Sequence, residues 1–333
     1  MSKAIHALTP AQPTPEMGPS QRAQRGAYRA GTTVSVVIPA YNEERNLARL
    51  VRQVMDEPWS ETVALDAVIV VDDYSDDQTP AIADGLADAF ERVRAIHHVE
   101  RSGKNAGIRT GAAASASSII VFVDADVSLG AHCLTRVVQR LADNPTLMAA
   151  SCIGEPVPAR SWRERASRFQ LLYVAELSRR GQGTLNRVYA IRSALLKAIE
   201  LPDGTYDDLY IARWLPNHDY RFAVQVNAMA YVRGAVGLRD FAKQTVRNWR
   251  AGETLERVLP PTVSALPTDP TKLKHWKQAR TRALTRAIMR EPVGFPLYLL
   301  WRMIAALMPT SYWLPTLDHS KHDVSQSTKD LGL

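Results

Sequence analysis

Cysteine is nearly absent: Cys133 and Cys152 are the only two in 333 residues. Two thiols cannot build a disulfide framework, so the composition suits a reducing compartment and a cytoplasmic protein is expected. The opening stretch MSKAIHALTPAQPTPEMGPSQRAQRGAYRAG lacks the apolar core of a secretory leader and is poor in large aliphatic residues. Residues 1–31 are therefore expected to be a disordered lead-in. Long apolar runs are missing as well, and a membrane-spanning helix needs about 20 such residues. The most hydrophobic stretch, EPVGFPLYLLWRMIAALMPTSYWLP, is broken by Pro292, Pro296 and Pro309 and carries Arg302 in its middle. A central arginine costs roughly 2.5–3.5 kcal/mol on insertion scales, which argues against a transmembrane helix.

Acidic residues are missing from the segment just before it. TKLKHWKQARTRALTRAIMR, residues 271–290, holds Lys272, Lys274, Lys277, Arg280, Arg282, Arg286 and Arg290 and no aspartate or glutamate. A second basic stretch, 159–192, is dominated by arginine. Such stretches attract nucleic acid, anionic lipid or phosphorylated substrates alike, and a solvated helix face is the plain alternative. Segment 236–315 is expected to be helical, with Trp301, Tyr312 and Trp313 suited to an interface. It then either lies peripherally on an anionic membrane surface, at the inner face of the plasma membrane, or packs on the preceding domain. Residues 316–333 are left as a tail.

What the chain has in quantity is alternation. TVSVVIPAY, VALDAVIVV, VRAIHHV and SIIVFV are apolar and β-branched, and helical patterns separate them. In the first of these helices Leu47, Leu50, Val51 and Val54 recur at helical spacing. This pattern predicts an α/β fold with a Rossmann-like, mostly parallel sheet flanked by helices, in which ligands bind beyond the carboxyl ends of the strands. Three polar loops fall at that edge: PAYNEE, DDYSDD and DADV.

Each loop has two readings. Asp124 and Asp126 can share a face once past the last ladder bond, where two carboxylates repel unless a cation lies between them. Mg²⁺ or Mn²⁺, completed by substrate phosphates, would suit the pair; a turn or a helix cap is the other reading. Asp72 and Asp73 follow an apolar strand, where a carboxylate can accept the N–H of a bound base, yet Asp76 or Asp77 in the same loop could merely cap the next helix. Pro39 sets a rigid turn that presents Tyr41 for stacking, unless that ring is packed. Lys104 in RSGKNAG could meet a diphosphate at a helix N-terminus, or be a solvent charge.

In order and spacing, VSVVIPAYNEERNL, VIVVDDYSDDQT, GKNAGIRTGA and IIVFVDADV resemble the nucleotide-sugar half of a family 2 glycosyltransferase with the GT-A fold. The resemblance spans about residues 33–130. It implies a catalytic domain over 32–235, with a nucleotide-sugar half (32–130) and an acceptor half (131–235). It implies that Pro39, Tyr41 and Asp73 cradle the base, with Glu43 in the same set. Lys104 would lie near the diphosphate, and Asp126 would be the main ligand of the metal with Asp124 beside it. GTYDDLYIARWL resembles the Glu-Asp-x-x-Leu-x-x-Arg stretch of members that build polysaccharides or glycolipids, with Asp207 where glutamate is usual and Asp208 as the base. KQTVRNWRAG resembles the Gln-x-x-Arg-Trp motif of processive members. Together these two stretches imply that Asp207, Gln244, Arg247 and Trp249 lie at the acceptor or diphosphate, with Trp249 stacked on an acceptor sugar. Gln244 and Arg247 keep the motif's spacing, but Asn248 turns Trp249 about 100° further around a helix, and an exposed basic amphipathic helix is the other reading. The donor implied is a nucleoside-diphosphate sugar, a UDP-sugar foremost, and the acceptor a glycan or lipid-linked hydroxyl. The reaction implied is an inverting, metal-dependent transfer.

Two other classes stand against this reading. A nucleotidyltransferase shares such a sheet but usually opens with a Gly-rich loop after strand one, and IPAYNEE has no glycine. A non-catalytic nucleic-acid-binding protein would suit the pI of about 9.5 but leaves three acidic loops unexplained, so no nucleic-acid partner is expected.

Overall fold

Valine and isoleucine, stiff at χ1, fit a pleated surface, and runs of them form a single eight-stranded sheet in the computed structural model. The structure describes residues 31–196, 198–259 and 269–308. The expected lead-in (apart from Gly31), the tail, Pro309, Tyr312 and Trp313 lie outside the described residues.

Strand β1 (Thr32–Ala40) leads to α1 (Leu47–Met55), β2 (Val63–Asp72) to α2 (Thr79–Ala89), and β3 (Val93–His97) to α3 (Lys104–Ala113), before β4 (Ile119–Val123). These strands lie in the order β3-β2-β1-β4, all parallel, as the alternation predicts. The chain continues through β5 (Ser128–Leu129), α4 (Cys133–Ala142), β6 (Leu147–Pro156), a 3₁₀ turn at Trp162–Glu164, and α5 (Arg165–Ser178). Then come β7 (Val188–Arg192), α6 (Ser193–Leu196), α7 (Asp207–Asn217), β8 (Arg221–Val232), α8 (Leu238–Val258), α9 (Pro270–Arg290) and α10 (Gly294–Leu307). The sheet extends as β7-β6-β8-β5, with β7 antiparallel to both β4 and β6. The four parallel strands and the β7-β6-β8-β5 group are thus joined edge to edge through β4 and β7.

Period-two alternation divides the core between the faces of the sheet. Val34, Val36 and Ile38 meet Leu47, Leu50, Val51 and Val54 of α1 on one face. Val37, Ile120 and Phe122 meet Tyr210, Ile211 and Leu215 of α7 on the other. Cys133 and Cys152 are free, buried thiols in the first of these cores. The last two helices form outer layers: α9 lies on α5, and α10 on α5 and α8.

Helix α3 approaches β1 closely because Gly107 and Gly111, one turn apart, face it. A Cβ at Gly107 would stand 3.2 Å from Pro39 Cβ, and one at Gly111 only 2.3 Å from a Val37 methyl. That approach brings Lys104, the first residue of α3, to the carboxyl edge of the sheet.

Gly111→Ala should therefore destabilise the fold. Overpacking costs typically 1–3 kcal/mol, which outweighs the up to ~1 kcal/mol that alanine gains over glycine in helix propensity. A Cβ at Gly85 in α2 would have nothing within 4 Å. Gly85→Ala should stabilise by about 0.4–1 kcal/mol. Urea midpoints of the two variants moving in opposite directions would bear this out; a shared direction would refute the packing argument.

Candidate active site

The three acidic loops open into one cleft of about 530 Å³. Pro39, Tyr41, Glu43, Asp73, Lys104, Asp124, Asp126, Asp207, Asp208, Gln244 and Arg247 all line it. Trp249 does not. It packs with Val246, Ala242 and Ala305 between α8 and α10, with the Arg302 guanidinium 5.2 Å from its ring centre. The expected stacking of Trp249 on an acceptor is thus corrected: Asn248 takes the cleft-facing position and the tryptophan turns away.

The carboxylates gather for backbone reasons. Beyond the Val123–Val188 pair of β4 and β7, the Asp124 N–H still donates to the Arg187 carbonyl at 2.9 Å. Arg187 therefore stands across from Asp124, a cross-strand pair of opposite charge. Its Nη1 lies 3.1 and 3.3 Å from the two oxygens of Asp126 and 3.4 Å from Asp124. From the other side Lys104 Nζ reaches Asp124 at 2.6 Å and Asp207 at 2.8 Å. The loop before α7 is held there by α3: Asn105 Nδ2 donates to the carbonyls of Pro202 at 2.6 Å and Thr205 at 3.0 Å. Arg109 Nη1 donates to the Leu201 carbonyl at 2.8 Å. Arg187 carries no signal in a linear motif, and Asn105, although inside GKNAGIRTGA, shows its role only through the contacts of its side chain.

Asp207 and Asp208, in the first turn of α7, are adjacent in sequence but opposite in state. Burial works against the Asp207 carboxylate, but the Lys104 ammonium and the Tyr189 hydroxyl, donating at 2.8 Å, hold it below the usual carboxylate range. Asp207 lines the cleft, is only 1% exposed, and anchors Lys104. Burial, and then the Asp207 charge beside it, push Asp208 up to about 7, although the Leu209 N–H donates to it at 2.7 Å. Burial also raises Asp124, with the Asp126 and Asp207 charges adding to it against Lys104 and Arg187. The Asp126 charge first, then Asp124, holds Arg187 firmly protonated. Four carboxylates thus face two bridging cations.

The side of the cleft around Asp73 is already knit together. Asp73 accepts the N–H groups of Ser102 and Gly103, each at 2.8 Å, and His98 Nδ1 lies 2.9 Å away. Asp72 accepts the Ser75 N–H at 3.3 Å. Asp77 accepts the Thr79 N–H at 2.8 Å and so does close the start of α2. Glu43 is buried, and its carboxylate accepts from Asn46 at 3.0 Å. Tyr41 presents a ring face on which the Arg101 guanidinium sits, 3.9 Å from the centre. Tyr189 belongs to the core.

Asp124 and Asp126 are hard oxygen donors in a buried, net-negative setting, which suits a divalent cation. Among the described residues no three His, Cys, Asp or Glu side chains are grouped to hold a metal alone. Substrate phosphates would have to complete the coordination, the usual arrangement for Mg²⁺.

A family model described as Glycosyl transferase family 2 matches residues 35–205. Glycosyltransferase AglD of Haloferax volcanii is 37% identical over 125 residues, 37% of this chain and 20% of that protein. Human dolichyl-phosphate beta-glucosyltransferase is 29% identical over 201 residues, 54% of this chain and 59% of that protein. The chain therefore spans less than two thirds of either relative. Among solved structures, a mannosyltransferase from Pyrobaculum calidifontis, in complex with GDP-Man and Mn²⁺, superposes with a TM-score of 0.55 at 20% identity. That match covers 88% of this chain and 90% of the other and establishes likeness of fold.

The state of Asp208 has a consequence for stability. Its pKa is about 7 in the folded protein and ~3.9 in an unfolded chain. The folded state keeps the proton longer, so the associated stability is full below pH ~4 and is lost as pH rises through about 7. Asp208→Asn, neutral throughout, should gain on the wild type between pH 5 and pH 8, on the order of 1–3 kcal/mol. Urea midpoints at the two pH values measure this; a difference that does not change with pH would show Asp208 to be ionised throughout.

Proposed function

Because the chain belongs to glycosyl transferase family 2, we propose that it moves a sugar from a nucleoside-diphosphate sugar to a hydroxyl of a glycan or lipid-linked acceptor, with inversion. The observation that carries this reading is the divergence of Asp207 and Asp208 at the mouth of the DxD loop. Two adjacent carboxyls whose surroundings push them apart mark one as a fixture and the other as the proton acceptor. Asp208 takes the proton from the acceptor hydroxyl while that oxygen attacks the anomeric carbon and the bond to the diphosphate breaks. A pKa near the working pH gives a base its greatest use.

On the donor side, Tyr41 and Pro39 flank the base, and the loop shaped by Asp73 closes around it. Lys104, with Arg247 across the cleft, meets the diphosphate. Asp126, with Asp124, would hold Mg²⁺ or Mn²⁺, which supplies positive charge against the departing diphosphate. Arg187 holds both carboxylates in register. Gln244 braces the acceptor. A UDP-sugar is the donor to test first, and GDP-mannose, bound in the Pyrobaculum enzyme, the second. Family membership removes the support for a nucleotidyltransferase or a non-catalytic nucleic-acid-binding protein.

A panel of nucleotide sugars, scored by released nucleoside diphosphate, tests the class of reaction. Within it, Asp208→Asn should lower kcat by about 10²–10⁴-fold while calorimetric donor affinity with Mn²⁺ is nearly unchanged. Asp126→Ala should weaken donor binding itself. The acid limb of kcat/KM should fall near pH 7 in the wild type. Transfer by Asp208→Asn at the wild-type rate would move the base elsewhere, and equal loss of donor binding in both variants would make Asp208 a donor-site residue.

A further inference from the structure

Helix α10 is apolar on the side that faces water. Its inner face is ordinary: Trp301 and Tyr298 pack edge-on against Phe241, at 5.4 and 6.0 Å between ring centres, and Ala305 is buried. The outer face carries Leu299 (51% exposed), Leu300 (45%), Met303 (53%) and Leu307 (75%), spaced at one and two turns along a single stripe. Pro296 is exposed on the same stripe, and Met289 (76%) and Val293 (50%) continue it back onto the end of α9. The helix's one charge does not interrupt this face. Arg302 turns inward, over the rings of Trp249 and Tyr298 at 5.2 and 5.9 Å.

The rim is cationic. On α9 Lys272, Lys274, Lys277, Arg282 and Arg286 are exposed, with no acidic residue from 270 to 290. The stripe is held firmly in place. Glu291, buried at the turn between the helices, accepts from Arg165 at 2.9 Å and from Arg168, both on α5. Gly294 lies against the Arg165 carbonyl, 2.2 Å from where a Cβ would stand.

We propose that this face docks on the surface of an anionic lipid bilayer, with α10 lying in the plane of the interface and α9 over the headgroups. Fourteen residues of α10 rise about 21 Å, short of the ~30 Å hydrocarbon core, and among the described residues no helix is long and apolar enough to cross a membrane. An apolar stripe beside an acid-free basic helix complements acyl chains and anionic headgroups together. A second copy on the same face would bring another basic α9, which has no acidic residue from 270 to 290. The docking goes beyond the proposed reaction and does not rest on it, but it bears on the cleft. The helices beneath α10 are α5 and α8, and Leu171, Val174, Gln244 and Arg247 on them line the cleft. A docked molecule holds its cleft one helix layer, about 8–10 Å, from the bilayer.

Sedimentation of the full chain with phosphatidylcholine vesicles, with and without phosphatidylglycerol, tests this, and light scattering gives the oligomeric state in parallel. The chain should sediment with the anionic vesicles at low salt and be released at high salt. Leu300→Asp with Met303→Asp, both exposed and so tolerable to the fold, should abolish binding. Lys274→Glu and Lys277→Glu should each weaken it about fivefold or more. A dimer that those apolar substitutions dissolve, without vesicle binding, would assign the face to a second copy and overturn the proposal. A monomer that never sediments would overturn it too, and would leave the chain beyond residue 308 as the cover. Neither measurement requires turnover, so failure here leaves the reaction untouched.

Discussion

The Lys104 ammonium is the contact on which the site depends. It joins Asp124, at the end of the fourth strand, to Asp207, at the start of the helix after the seventh. Those carboxylates are 83 residues apart in sequence and largely buried. Taking unpaired carboxylates out of water is costly, and here four share one rim. Lys104 and Arg187 offset much of that cost by standing between them. The two glycines that let α3 press on β1 are what carry the lysine to that position. Sequence, helix packing and charge compensation are links of one chain of causes.

Two bridging cations among four carboxylates leave negative charge uncompensated, and its distribution sets the two adjacent aspartates apart. Asp207 takes the lysine and a tyrosine hydroxyl and stays ionised. Asp208, next to it but without such partners within bonding distance, bears the desolvation and its neighbour's repulsion and rises to about 7. Among the described residues no cation bonds to the Asp208 carboxyl, and that lack lets burial raise it. The same deficit at Asp124 and Asp126 is what a divalent cation with a diphosphate would relieve.

The parallel first half was legible because buried strands and amphipathic helices follow different periods, and each period has one physical cause. The loops at the carboxyl edge followed from that topology. Roles within the loops were less legible. Asp73 reads as free to accept from a base, yet it spends both oxygens on Ser102, Gly103 and His98. Arg187 is invisible in a linear motif because its place comes from antiparallel pairing with β4, 63 residues away. Trp249 illustrates the opposite case: the extra residue at Asn248 was visible, and the helical turn it imposes does carry the indole away from the cleft.

Charge counts mislead in a comparable way. The stretches 159–192 and 271–290 look alike as basic runs, but their arginines have different fates. In the first, Arg179 is 2.5 Å from Glu155, Arg180 is 2.5 Å from Glu176, and Arg187 serves the DxD loop. Those cations are internal counterions for buried acids, and the seam they form fastens α5 to the sheet. In the second, Arg290 alone reaches back to Glu155 and Glu176, and most of the others face solvent. A buried acid has to claim its cation before any field is left outside. The surface that keeps a cationic character is therefore the one whose cations, Arg290 apart, no buried acid has claimed, and in this chain that surface borders an apolar stripe.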